Sequence, residues 1–406
     1  MNQSKKRILI NIHYLEIGGA ETSLIGLLHS LNPEDFNVDL LINDPRGELM
    51  KYIPEWVNVV NIPKVYSMIE RPIVEVMKKG YLKLAVARFL AKYKYGKYVR
   101  EKHPKTGDAI FGYVGKYVSK VLPSLKELGE YDIAISYVTP HNIVADMVCA
   151  KRKIAWIHTD YSKIDVDTSL ELPVWDAFDK IVSISPDVTG SFIKTFPSLK
   201  DKIEEIENFI PIDMIKSRSN ELLPEDMPKE NGILNFLTIG RYSYQKHLDS
   251  IPFISSMFKN QGINFKWYII GYGNQNELDK IKNQIALNTV HNQVLLLGKK
   301  ENPYPYIKAC DIYVQPSRYE GNSITVRESQ ILGKPVVITN YPTSSSQIRN
   351  GEDGFIGPYE TEPFAKYLID IINDKESLEK VTENLNKTDF SQQANLQKFL
   401  SLLTYN

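Results

Sequence analysis

Apolar residues fall along this chain in short β-branched and aromatic runs that alternate with stretches of helical spacing. In the first half the pattern predicts strands at Arg7–Leu15, Asn37–Ile42, Val57–Ile62, Tyr131–Tyr137, Lys153–His158 and Lys180–Ser185, with an amphipathic helix over Gly19–Leu31. In the second half it predicts strands at Ile233–Gly240, Phe265–Gly271, Gln293–Gly298, Asp311–Gln315, Pro335–Thr339 and Gly354–Ile356. Helices are expected between them at His247–Lys259, Glu277–Leu287 and Tyr304–Ala309, and two more, Glu362–Asn373 and Gln392–Leu403, close the chain. Alternation of this kind implies α/β architecture, parallel sheets with helices on both faces.

Two stretches break the rhythm. Residues 208–232 carry Pro211, Pro224 and Pro228, acidic residues and no periodicity, and read as a linker. The expected division is therefore 1–207, a linker 208–232, a second domain 233–385 and a C-terminal helix 386–406. Two doubly wound domains, with a C-terminal helix packing back on the first, would face each other across a cleft. The other break, Lys64 to Thr106, holds twelve Lys/Arg against three Asp/Glu, a local charge of +9, interleaved with six tyrosine and phenylalanine residues. Such a segment suits an anionic membrane surface or a phosphate-bearing acceptor, and equally a solvated helix face whose tyrosines pack on the domain.

Composition narrows the class. At 406 residues the chain exceeds one typical core and suits two domains of about 150 to 200 residues. Its formal charge is zero, so nothing suggests a nucleic-acid partner. Cys149 and Cys310 lie far apart in apolar stretches, outside any metal-ligand spacing, and read as core residues of a reducing, cytoplasmic compartment. The basic start runs into a short apolar stretch that reads as a first strand, and no run reaches the ~18 apolar residues of a membrane span. Any membrane contact is expected to be peripheral.

Ligands of open α/β sheets bind beyond the carboxyl ends of the strands, so the loops there hold the candidate chemistry. The stretch VQPSRYEGNSITVRESQILGKPVV, Val314 to Val337, reads as strand, loop, helix, strand. Glu320 and Glu328 frame its loop and helix start with seven residues between them. With the helix beginning near Ser323, unpaired N–H groups of Gly321, Asn322, Ser323 and Ile324 would suit a phosphate, and the two carboxylates could accept hydrogen bonds from sugar hydroxyls. The plain alternative is an exposed loop glutamate and a solvated helix glutamate.

Other strand ends offer weaker signals. Gly18 and Gly19 open the first helix where backbone could approach a phosphate or sugar, without the spacing of a dinucleotide site. Gly240-Arg241 and Lys246 could grip a diphosphate with two cations and no obligatory metal, or be surface charge. Gly271 and Gly273 most simply make a tight turn, which could leave room for a base or ribose. His158, in AWIHTDY, could donate to a sugar or phosphate, or be a satisfied polar residue.

Gly-Gly-Ala-Glu after the first strand, GRYSYQKHLD, IIGYGN and above all EGNSITVRE resemble the retaining glycosyltransferases of family 4, glycosyl transferases group 1, which have the GT-B fold. The resemblance covers nearly the whole chain and is strongest from Ile233 to Ile356. It implies retaining, metal-independent transfer of a sugar from a nucleotide-diphosphate donor, a UDP- or GDP-sugar, to a saccharide or lipid-linked acceptor in polysaccharide or glycolipid synthesis, without a separate cofactor. It also implies the roles: Arg241 and Lys246 on the diphosphate, Glu328 on the ribose, Glu320 on the donor sugar, backbone from Gly321 to Ile324 facing phosphates, Gly18 and Gly19 meeting the donor from the other domain, and His158 near the sugar. His247 stands where the family commonly has glycine, and Asn322, Ser323 and Ser329 also depart from its usual pattern. A sugar-nucleotide epimerase on the same fold and a non-catalytic sugar-binding subunit are the alternatives.

Overall fold

The computed structural model describes residues 5–404. The chain divides into two compact units: one runs to Pro211 and takes back the chain from Gln392 onward, the other is Ile212–Ser391. The first contains strands β1 (Lys6–Ile12), β2 (Phe36–Ile42), β3 (Asn58–Val59), β4 (Tyr131–Ser136), β5 (Ala150–Ile157), β6 (Lys180–Ser183) and β7 (Ile203–Glu205) in one parallel sheet ordered 3-2-1-4-5-6-7. The second contains β8 (Leu234–Ile239), β9 (Phe265–Ile270), β10 (Val294–Gly298), β11 (Ile312–Gln315), β12 (Val336–Thr339) and β13 (Phe355–Gly357), a parallel sheet ordered 10-9-8-11-12-13.

These strands are apolar on both faces because helices cover both, and sequences such as FKWYII and IYVQ lie buried almost throughout. Around Phe236 the second core packs the tilted rings of Trp267 at 5.3 Å and Phe258 at 5.4 Å between centroids. In the first unit the C-terminal helix Gln393–Thr404 docks on β5: Phe399 is fully buried 5.8 Å from the Trp156 ring, and Lys6 and Arg152 donate to the Leu403 and Leu402 carbonyls. Those two cations meet the helix at its carbonyl end, where the dipole favours positive charge.

Several details depart from the pattern-based reading. The strand expected over Val57–Ile62 is reduced to Asn58–Val59 at a sheet edge, where only one neighbour can hold it. Within the expected linker, Ile212–Arg218 is a helix of the second unit, and Arg218 is buried there over the Tyr304 ring. A helix over Lys375–Lys387 buries Val381 and Leu385. Cys310 is buried, but Cys149 is exposed, because it lies in the turn between the helix Asn142–Met147 and β5.

Candidate active site

In each sheet the strand order reverses once, between β1 and β4 and between β8 and β11, and side chains on the loops beyond such a reversal converge on a crevice. At the second reversal the loop after β8 carries Arg241 and Lys246, and the loop after β11 carries Glu320. Lys246 Nζ lies 2.7 Å from Glu320 Oε1, with the lysine side chain 17% and the glutamate 6% exposed. Glu320 is therefore no exposed loop residue. Ser317 Oγ donates to Oε1 at 2.6 Å, and Gln245 Nε2 donates to Oε2 at 3.2 Å. Behind them Gln315 links Ser317 to the Tyr313 hydroxyl, so the carboxylate is fixed by a network of buried donors. Oε2 keeps room for a further hydrogen bond, and Lys246 keeps two of its three N–H donors. Arg241 is exposed on the same loop.

The helix Ile324–Ile331 starts where expected, with Ser323 as its N-cap. One of the amides assigned to a phosphate is already engaged: Ser323 N donates to Gln347 Oε1 at 3.1 Å, and Gln347 Nε2 donates back to the Ser323 carbonyl. A buried glutamine on the neighbouring helix Ser344–Gln347 thus clamps the cap residue and sets the direction of the helix start. Gly321, Asn322 and Ile324 remain on the anion-facing turn.

Glu328 is only 5% exposed, which rules out the solvated helix reading. Burial pushes its carboxyl up to about 7, opposed by the Tyr304 hydroxyl, which donates to Oε1 at 2.9 Å, and by the Arg218 charge. Burial thus favours its protonated form, in which it can donate to a hydroxyl as well as accept from one.

Gly240, Gly271 and Gly273 let the loops after β8 and β9 touch through backbone. A Cβ on Gly271 would sit 1.9 Å from the Gly240 carbonyl oxygen, and one on Gly273, whose φ is +156°, would sit 2.6 Å from the Tyr242 oxygen. Lys246 passes beside Gly240, where a Cβ would lie 3.2 Å from its side-chain carbons. His247 takes the left-handed conformation at φ +52°, a backbone state that suits glycine better, and burial lowers its basicity.

In the first unit Gly18 caps the helix Gly19–Ser30, and the Glu21 carboxylate folds back so closely that a Gly18 Cβ would lie 2.2 Å from Oε2. This helix start already carries a negative group, which favours hydroxyls over phosphate. His158 follows β5, stacked on Trp156 and 4.9 Å from the Tyr137 ring. Burial drives it down to about 4, so the ring is neutral, and it hydrogen-bonds to the Tyr137 backbone. Its Nε2 is buried without a partner. With the other ring nitrogen giving its proton to that backbone, Nε2 is an acceptor, whereas the sequence suggested a donor.

Sequence reasoning missed Gln245, Ser317, Gln315, Tyr304, Arg218 and Gln347. Gln315, a polar residue ending a buried strand, carried a readable signal. Arg218 lay in the presumed linker, and nothing local marked it.

Residues 221–388 match the family model described as Glycosyl transferases group 1. That span holds Arg241, Lys246, Glu320 and Glu328. An uncharacterized glycosyltransferase of Methanocaldococcus jannaschii is 31% identical over 203 residues, 46% of this chain and 48% of that protein. An O-antigen biosynthesis glycosyltransferase of Escherichia coli is 28% identical over 170 residues, 42% of this chain and 45% of that protein. The chain spans about half the length of the curated relatives it matches. Among solved structures, Anabaena HepE with UDP and glucose superposes with a TM-score of 0.69 at 16% identity, over 99% of this chain and all of that one. TarM superposes at 0.67 and 14% identity, over 99% of each chain. The fold is that of the GT-B glycosyltransferases.

Proposed function

We propose that the chain is a retaining glycosyltransferase that moves a sugar from a UDP- or GDP-sugar to a saccharide or lipid-linked acceptor in polysaccharide or glycolipid synthesis. The observation that carries this reading is the buried Lys246–Glu320 pair at the β8/β11 reversal, placed just before a helix start whose helix bears a second buried carboxylate, Glu328. Lys246, Arg241 and the amides of Gly321, Asn322 and Ile324 match a diphosphate, while Glu328 and the open position on Glu320 Oε2 match ribose and sugar hydroxyls. Charge growing on the departing diphosphate is met by these cations and dipoles, so the anomeric carbon gains oxocarbenium character and the acceptor hydroxyl attacks on the face the diphosphate leaves, its proton passing to the departing diphosphate oxygen. Because its positive charge comes from side chains and amides, the site needs no metal. The first unit takes the acceptor, with His158 Nε2 accepting from a sugar hydroxyl and the Gly18–Gly19 helix start facing hydroxyl groups.

The acceptor is met at the inner face of a membrane. Among the described residues no helix is long and apolar enough to cross one. On the helix Leu82–Lys102, however, Leu82, Val86, Phe89, Leu90 and Tyr93 share one face and stay exposed, Phe89 by 65%, while Leu84, Ala85, Ala87 and Ala91 are buried. Lys83, Lys92, Lys94 and Lys97 flank that apolar face, an arrangement complementary to anionic lipid.

The test is release of nucleotide from a panel of UDP- and GDP-sugars, with and without lipid-linked acceptor, and NMR of the product anomer. Acceptor-dependent release with the donor's anomeric configuration is expected, reduced at least tenfold in Lys246→Ala. Release that needs no acceptor, or that ignores Lys246→Ala, would end the reading. For the membrane face, flotation with anionic liposomes should be lost in Lys83→Glu/Lys94→Glu; flotation that survives would remove the lipid surface.

A further inference from the structure

We propose that the first unit contains a pocket for an uncharged sugar ring of the acceptor, closed around His141, Glu171 and Trp175. The inference rests on the transferase reading and extends it to the chemistry of the acceptor.

The pocket has a volume of about 110 Å³ and is lined by the helices Ala109–Val118 and Thr168–Asp176 and by the loops that follow β4 and β5. On a measure in which one water occupies about 10–15 Å³, that is space for several waters, roughly one pyranose ring. Glycines bring the walls together. A Cβ on Gly112 would lie 2.8 Å from Leu170 Cδ2 and 3.3 Å from Glu171 Cγ, and one on Gly115 would lie 2.1 Å from Asn142 Oδ1.

Three features choose the ligand. The charged residues lining the pocket are Asp108 and Glu171, with no lysine or arginine among the described lining residues, so phosphate and nucleotide are repelled. His141 is 2% exposed; its Nδ1 lies 2.8 Å from Ser136 Oγ, and its Nε2 is buried without a partner. Burial holds that ring neutral, and its Nε2 is a polar atom at the pocket wall with no protein partner. Glu171 is positioned by the Tyr161 hydroxyl at 3.3 Å and by the Trp175 side chain, and burial raises its carboxyl to about 7. A carboxyl whose ionisation burial opposes suits a hydroxyl, which gives and takes hydrogen bonds. Phe111, Ile164 and Leu170 supply apolar wall for the face of a ring.

The test is saturation-transfer NMR on the full chain with methyl glycosides of glucose, galactose and N-acetylglucosamine, with choline and inorganic phosphate as competing probes. UDP is titrated into every sample. At least one glycoside should bind the parent, bind about tenfold more weakly to Glu171→Ala, and lose its signal in the pocket-filling Val174→Phe, while phosphate fails to compete. UDP binding retained in both variants shows that they are folded. Failure of UDP to bind the parent would count against the transferase reading alone. Absence of binding by every glycoside, binding unchanged in both variants, or choline binding in place of a glycoside would each overturn the sugar pocket.

Discussion

Replacing Glu328 with glutamine isolates the energetic consequence of burying a carboxyl beside Tyr304. In the unfolded chain this group titrates near 4.5, and in the folded protein near 7. Below pH 4.5 both states hold the proton and the contribution to stability is fully present. As pH rises from 4.5 towards 7 the unfolded chain releases its proton first, so stability falls; above 7 both states are ionised and the loss is complete. At about 1.4 kcal/mol per pH unit the loss comes to about 3 kcal/mol, and it is only slightly screened because the side chain is 5% exposed. Glutamine keeps the shape and still accepts from Tyr304, but cannot ionise. The assay is urea unfolding of protein labelled with fluorotryptophan and followed by ¹⁹F NMR, in which Trp267 reports on the second unit. The glutamine variant should gain about 2–3 kcal/mol relative to the parent between pH 5 and pH 8. A variant-minus-parent difference that is the same at both pH values would refute the reasoning.

Three other perturbations follow from the packing. Gly271→Ala forces a Cβ into the Gly240 carbonyl and should cost about 3 kcal/mol, read from the same Trp267 resonance; a cost below about 1 kcal/mol would mean the loops are not packed as described. His247→Gly releases a left-handed side chain and should raise stability by about 0.5–1 kcal/mol in urea, with a lower value counting against strain at that position. Phe399→Ala empties a buried contact on Trp156 and should lower the stability of the first unit by about 3–5 kcal/mol, seen in the Trp156 resonance; an unchanged midpoint would detach the C-terminal helix from that core.

The order of strands and helices, and the strand-end positions of Arg241, Lys246, Glu320 and His158, could be read from the sequence. Hydrophobic periodicity is a local property, and parallel sheets require continuous apolar runs broken by glycine and proline. The helix Lys375–Lys387 carried the same signal, Leu378, Val381 and Leu385 at helical spacing, whereas the three residues of β7 were too few to show a period. Tertiary structure alone decided the chemistry. Spacing left Glu320 and Glu328 equally readable as solvated, and only the approach of Gln245, Lys246, Tyr304 and Arg218 from distant stretches, added to the local Ser317, buries and fixes them. The same holds for Gln347 on the Ser323 amide and for the Tyr137 backbone that makes His158 Nε2 an acceptor. Burial and hydrogen-bond partnership depend on which residues meet across the fold, and no window along the chain contains that information.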